Sequence, residues 1–267
     1  MKSNIKNGLI EYMKFNAELY GNGLLLDNNV GIEFKATETK LAQKEILKEE
    51  EIIKPKIQDT PPQKVQGKRL STESNWKSAT TLDELDSQIN TCLECPLGET
   101  RIKFVFGTGN PNADIMVIGE APGADEDEQG KPFVGRAGQL LTKILESINL
   151  SREEVFIANI IKCRPPSNRR PVKEEVDKCE PYLKKQIDLI KPAFILSLGL
   201  TSVDTLLKKT HKMSEIRGKV LDYHNIKMIT TYHPAALLRN PAWKQFVWDD
   251  VRFLRKLYDE YLLNSGK

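Results

Sequence analysis

No apolar run in the 267-residue chain approaches the roughly 20 residues that cross a bilayer, so no membrane association is expected. The opening residues, "MKSNIKNGLIEYM", lack the apolar core and small-residue cleavage site of an export signal, which places the protein in the cytoplasm. Cysteine is scarce, with four residues in all, and in a reducing compartment four cysteines do not serve as structural disulfides. Neither sign of charge dominates. With 40 basic and 37 acidic residues the net charge is only +3, so a nucleic-acid partner must be held by a local basic patch and not by the overall field. No G-x-G-x-x-G follows a strand-like run, which excludes the dinucleotide fingerprint, and no internal repeat is present.

What is present divides unevenly. Residues 1–34 contain one short helical segment, "NGLIEYMKFNAELYG", with Leu9, Ile10, Met13 and Leu19 on one face. Residues 35–75 are polar, alternate lysine and glutamate in blocks, contain no aromatic residue and are broken by "TPPQ"; this composition predicts a disordered linker. Residues 76–267 read as the folded domain. "TLDELDSQINTC" predicts a helix with Thr81 as its N-cap. Strands are expected at 114–118, 155–160, 193–198 and 226–231, and helices at 136–148, 171–190, 199–209 and 241–262. This alternation predicts an α/β fold, a three-layer αβα sandwich with a mainly parallel central sheet.

Between the first strand and its helix lies "GEAPGADEDEQGKPFVGRAGQLL", residues 119–141, rich in glycine and acids around one phenylalanine. A strand-to-helix loop is where open α/β sheets place ligands. The basic run "KCRPPSNRRPVK" carries Lys162, Arg164, Arg169, Arg170 and Lys173 without one acid, and is expected to contact phosphate, with binding that weakens as salt rises. Cys92 and Cys95 form a C-x-x-C followed by Pro96. Cys163 follows a strand, and Cys179 shares a helical stripe with Val176, Leu183, Ile187 and Ile190, so it faces inward. Four thiolates point to a metal site, and the spacing leaves zinc and an iron–sulfur cluster both open.

Together with "HPAALLRNP", these motifs carry a resemblance. Over roughly residues 78–262 the chain resembles the family 4, iron–sulfur uracil-DNA glycosylases of the uracil-DNA glycosylase superfamily. The resemblance implies a 4Fe–4S cluster on Cys92, Cys95, Cys163 and Cys179. It also implies hydrolysis of the N-glycosidic bond of deoxyuridine in single- or double-stranded DNA, leaving an abasic site in base excision repair. A monomer is expected.

In that role the base must leave the stack and enter a tight pocket. Gly119, Ala121 and Gly123 let backbone amides approach it, and Phe133 offers a face for stacking. Asn159 reads uracil O4 and N3–H, and His233 donates to O2 as charge collects on the leaving base. In the cluster-free branch of the superfamily an aspartate orients the water, but here the matching position is Ala121. Glu120 is the nearest acid, for water or for the oxocarbenium-like sugar. Glu126 matches the position that crowds the C5 side of the base, while Asp125, Asp127 and Glu128 read as solvated loop charge. Leu237 matches the wedge that fills the gap left in the duplex, with Leu238 beside it, and Arg239 meets phosphate. His211 and His224 are expected to be structural. Two other readings remain: a non-catalytic, uracil-sensing DNA-binding protein on the same fold, and a zinc-dependent hydrolase.

Overall fold

The computed structural model describes residues 75–266. The helical segment expected within 1–34 and the linker expected over 35–75, all but its last residue, lie outside the described residues. From Leu82 onward, helix and strand alternate as the periodicity predicts. Helix α1, Leu82–Ile89, starts where Thr81 caps it: the Thr81 hydroxyl accepts from Glu84 N at 3.1 Å, and the Glu84 carboxylate accepts from Thr80 N at 2.8 Å. A single turn, α2, follows the C-x-x-C at Leu97–Thr100.

Six strands form one sheet: β1 (Thr108–Gly109), β2 (Ile115–Gly119), β3 (Phe156–Asn159), β4 (Phe194–Leu198), β5 (Leu221–Tyr223) and β6 (Ile226–Thr231). Their spatial order is β1-β3-β2-β4-β6-β5, with the four central strands parallel and the short outer two antiparallel. β2, β3 and β4 are buried along their whole length because helices cover both faces of the sheet. Alternate residues therefore enter two cores. Met116, Ile118, Ile195 and Met228 face α1 and α5 (Lys173–Ile190), where Leu85, Ile89, Leu183 and Ile187 complete one core. Val117, Ile157, Leu196 and Ile229 face α4 (Arg136–Glu146) and α9 (Lys244–Ser265), where Leu141, Ile144, Val247 and Val251 complete the other.

The expected three-layer architecture, its four strands and its longer helices are all present, with ends shifted by a few residues. The helix expected from 241 opens as a 3₁₀ turn, Pro241–Trp243, and becomes α-helical at Lys244. The sequence reading omitted β1 and β5, the turn α7 (Met213–Ile216) and a short helix, α3 (Ala124–Gln129), inside the acidic loop. It also gave no helix to α8 (Pro234–Arg239). Helix α6, Leu200–Leu207, follows β4. No helix among the described residues is long and apolar enough to cross a membrane.

The topology locates a crevice. The chain leaves β2 for β3 on one side and leaves β4 for β6 on the other, while β2 and β4 are neighbours. This is a switch point, and the crevice opens beyond the carboxyl ends of these strands.

Candidate active site

Four strand ends supply the crevice. Gly119 ends β2 and sits directly opposite Asn159, the last residue of β3. Gly199 follows β4, and His233 stands two residues beyond the end of β6. A side-chain carbon on Gly119 would lie 2.5 Å from Asn159 Oδ1 and 2.5 Å from Phe133 Cζ. The bare backbone there lets the amide and the ring converge. The Phe133 and His233 rings are 5.5 Å apart, centre to centre, and inclined by 33°. Asn159 is only 2% exposed, yet its Oδ1 has no hydrogen-bond partner among the described residues. An unpaired buried acceptor costs about 1–3 kcal/mol, so its persistence points to a ligand that donates there.

His233 caps α8, its Nδ1 accepting from Ala235 N at 3.2 Å. That bond leaves the proton of the neutral ring on Nε2. Burial, helped by the charge of Arg239, pushes the imidazole down to about 4, so it is a neutral donor at physiological pH. Behind it, Thr231 Oγ1 donates to Asp250 Oδ2 at 2.6 Å, and Arg217 closes on the same carboxylate at 2.9 and 3.1 Å. This buried network fixes the end of β6. Sequence reasoning missed it, although an aspartate amid the apolar stripe of Val247, Val251 and Leu254 was a signal.

Several sequence assignments change. The Glu126 carboxylate is bound to backbone amides on both oxygens: its Oε2 accepts from Gly123 N (3.0 Å) and its Oε1 from Val134 N (2.8 Å) and Gly135 N (2.9 Å). Asp127 is not solvated. It is 2% exposed and accepts from Ile102 N at 3.0 Å and Lys103 N at 3.4 Å, and burial raises its pKa. Asp125 and Glu128 are exposed, as expected. Glu120 and Ala121 follow Gly119 directly and are half-buried. Lys162 cannot meet phosphate: it is wholly buried, its Nζ donating to Asn159 O at 3.0 Å and Gln186 Oε1 at 2.6 Å. Burial lowers that amine to about 8.

Within the basic run, Arg169 is forked onto Glu175 (2.9 and 2.6 Å) and Lys173 pairs with Asp177. Arg164 donates to Asn168 and Arg170 is exposed; neither has a carboxylate partner in an ion pair among the described residues. The wedge assignment also shifts. Leu237 is fully buried in the core beneath α8, whereas Leu238, next to it on that helix, is 41% exposed. Arg239 is exposed at the helix end. His211 bonds Asp204, and the exposed His224 packs edge-on against Tyr223.

Cys92, Cys163 and Cys179 are buried and Cys95 half-buried. Hydrogen-bond donors address their sulfurs: Glu94 N to Cys92 (3.5 Å), Lys162 N to Cys179 (3.2 Å) and the buried Arg101 guanidinium to Cys163 (3.4 Å). Tyr182 Oη lies 3.3 Å from Cys92 Sγ. Burial pushes the Cys163 thiol to about 12 and that of Cys179 well upward, and the sulfurs lie within electrostatic reach of one another. Among the described residues no three His, Cys, Asp or Glu side chains converge tightly enough to hold a single metal ion.

Comparison with known proteins agrees with this geometry. The family model of the uracil DNA glycosylase superfamily matches residues 106–254. A type-4 uracil-DNA glycosylase of Pyrobaculum aerophilum is 43% identical over 190 residues, 68% of this chain and 97% of that protein. Those of Saccharolobus solfataricus and Archaeoglobus fulgidus are 42% and 41% identical, covering 69% and 66% of this chain and 93% of each relative. A neutral histidine, a buried asparagine with an open acceptor and an aromatic face thus meet in a chain that belongs to the uracil-DNA glycosylase superfamily, in its type-4 branch.

Proposed function

We propose that the protein is a monofunctional glycosylase that removes uracil from DNA by hydrolysis and leaves an abasic site. The observation that carries this is the Asn159 amide, buried beside the Phe133 ring with its oxygen unpaired. A flipped uracil stacks on Phe133, donates N3–H to Asn159 Oδ1 and accepts at O4 from Nδ2; cytosine presents the reverse pattern. As the bond from N1 to C1′ breaks, its electron pair goes to the base, and His233 Nε2–H donates to O2 where that charge collects. Loss of one such donor typically costs about 10²–10³ in rate. Water adds its oxygen to C1′, and its proton leaves to neutralise the base anion. Glu120 is the carboxylate nearest this step in the chain, since Ala121 has none. Arg164, Arg170 and Arg239 hold phosphates, and Leu238 takes the wedge role. The protein is proposed to act as a cytoplasmic monomer.

Cys92, Cys95, Cys163 and Cys179 would hold a 4Fe–4S cluster. Thiols this buried ionise only against a compensating positive centre, and the Arg101 guanidinium and backbone N–H groups aimed at them suit anionic sulfur. A mononuclear zinc would need all four sulfurs within about 3.8 Å of each other around one ion, at Zn–S distances of about 2.3 Å. A cluster gives each thiolate its own iron, and so links the four sulfurs without gathering them on one ion. Bound there, it would tie the C-x-x-C segment to the end of β3 and to α5.

The test is release of free base from matched uracil and cytosine oligonucleotides. Wild type should release uracil alone. Asn159→Asp, which offers acceptors to O4, should lose at least about tenfold, the factor of 1.4 kcal/mol, and gain slow cytosine release, best from single strands. Binding of uracil-DNA without base release would leave a sensor in place of an enzyme. Purified protein should be brown, and Cys179→Ala should lose the colour; a brown, fully metallated Cys179→Ala would sink the cluster assignment.

A further inference from the structure

Phe133 holds a backbone conformation that aromatic residues avoid. Its φ is +53°, in the left-handed region where a bulky side chain crowds its own carbonyl. Such a conformation persists only where the surroundings over-determine it. Here they do so from three sides. Arg152, in the turn that leads into β3, donates from Nη1 to Phe133 O at 3.0 Å and from Nη2 to Pro132 O at 2.8 Å. The same Nη1 reaches Thr142 Oγ1 on α4 at 3.3 Å. On the other side of the residue, Glu126 Oε1 takes the N–H groups of Val134 and Gly135. Beneath it runs Gly138, where any side-chain carbon would come within 1.9 Å of the Phe133 carbonyl.

The carbonyls of Pro132 and Phe133 are thus held by a cation and the amides of Val134 and Gly135 by an anion. No regular ladder satisfies these backbone groups, so the two side chains fix the peptide planes between which the ring is aimed. We infer that Arg152 is a positioning residue of the base pocket: with Glu126 it clamps the strained Phe133 peptide and so holds the ring face flat against the extruded base. Arg152 touches no substrate in this arrangement. It acts through Phe133, and its planar fork matters because two carbonyls must be held at once, which a lysine ammonium on a flexible stem does poorly. Glu126 also acquires a role that needs no contact with the base.

The inference rests on Phe133 being the stacking surface, and the experiment separates the two. Full-length wild type, Arg152→Ala, Arg152→Lys and Phe133→Leu are compared for inhibition by free uracil, single-turnover base release and affinity for abasic-site DNA. Arg152→Ala should raise the inhibition constant for uracil and slow base release, each by at least about tenfold, the change that 1.4 kcal/mol produces. Its affinity for abasic-site DNA should stay within about twofold, a difference well below that same 1.4 kcal/mol. Guanidinium ion at millimolar concentration should restore part of the rate to Arg152→Ala and none to Phe133→Leu, and Arg152→Lys should fall between alanine and wild type. An Arg152→Ala protein with wild-type uracil inhibition overturns the clamp. So does a variant that loses uracil and abasic-DNA affinity together without responding to guanidinium, because that is a general folding defect. Should Phe133→Leu keep wild-type uracil inhibition, the stacking role fails and the clamp with it. If Phe133→Leu weakens uracil and Arg152→Ala does not, the clamp alone fails.

Discussion

His233 donates from Nε2 because the Ala235 amide has first claim on Nδ1. Protonating the ring would place a proton on Nδ1 facing that amide, so the same contact that sets the tautomer opposes the imidazolium. The folded ring resists protonation until about pH 4, whereas an unfolded histidine takes a proton near 6.5. Between those values the unfolded chain binds a proton that the folded ring refuses. His233 therefore favours folding above 6.5, and that contribution is lost as pH falls toward 4. A titration of the His233 ring by NMR should find its midpoint well below 6; a midpoint near 6.5 would show a solvated ring with no fixed tautomer. At this scale much of the pocket was legible. Asn159, Phe133 and His233 were reached through the family resemblance, since taken singly an asparagine, a phenylalanine and a histidine read as well as turn, core and structural positions. Lys162 and Asp127 were misread for one physical reason: a charged residue in a loop looks solvated in sequence, and only the fold shows which backbone groups it must satisfy. Arg152 gave no signal at all, since its partners are carbonyls about 20 residues away in the chain.

The short helix α8 shows what an element adds to a motif. "HPAALLRNP" places two leucines side by side in the chain, and consecutive residues on a helix point about 100° apart. Which one enters the core is set by how α8 lies on α4, and the motif does not contain that. Leu237 is fully buried in the core that α4 also lines, while Leu238 faces out. The two alanine variants should therefore part company. Leu237→Ala should lose about 2–5 kcal/mol of stability, as a cavity in a packed core does, and its turnover should fall only near its lowered melting temperature. Leu238→Ala should melt like wild type yet slow excision from duplex more than from single strands, where no gap needs filling. Thermal melting and base release on both substrates decide it, and the reverse pattern would restore Leu237 as the wedge. Elements with a clear period were legible for the same physical reason that α8 was not. β2 is a continuous apolar run, β4 is interrupted only by Ser197, and α4 carries a full stripe. β1 and β5, at two and three residues, hold their places only by pairing with β3 and β6. Pairing of this kind leaves no local pattern.

At the scale of the molecule, the described residues form a closed unit: both sheet faces are covered, and both cores lie between residues 79 and 254. The family model matches within the same limits, at 106–254. The first described residues pack onto it. Trp76 packs edge-on against Tyr182 at 4.9 Å, and the Tyr182 hydroxyl lies 3.3 Å from Cys92 Sγ. The 3₁₀ turn Trp76–Ser78 precedes Ala79, which is 1% exposed in the core beside α1. Two truncations should therefore behave differently. Removing residues 1–74 leaves Trp76, Ala79 and the Thr81 cap in place, so melting temperature, colour and base release should stay within a few-fold of the full chain. Removing residues 1–80 strips the aromatic contact over Tyr182 and a buried alanine beside the cysteine site. That should lower stability by about 2–5 kcal/mol, in the range of losing a large side chain from a packed core, and speed the bleaching of the chromophore in air. Full-length and truncated proteins are compared for melting, visible absorbance over time and uracil release. A stable, persistently brown protein lacking residues 1–80 would show that Trp76 lies on the surface of the domain without supporting it. Loss of folding or turnover on removing 1–74 would show instead that the domain begins earlier than Asn75.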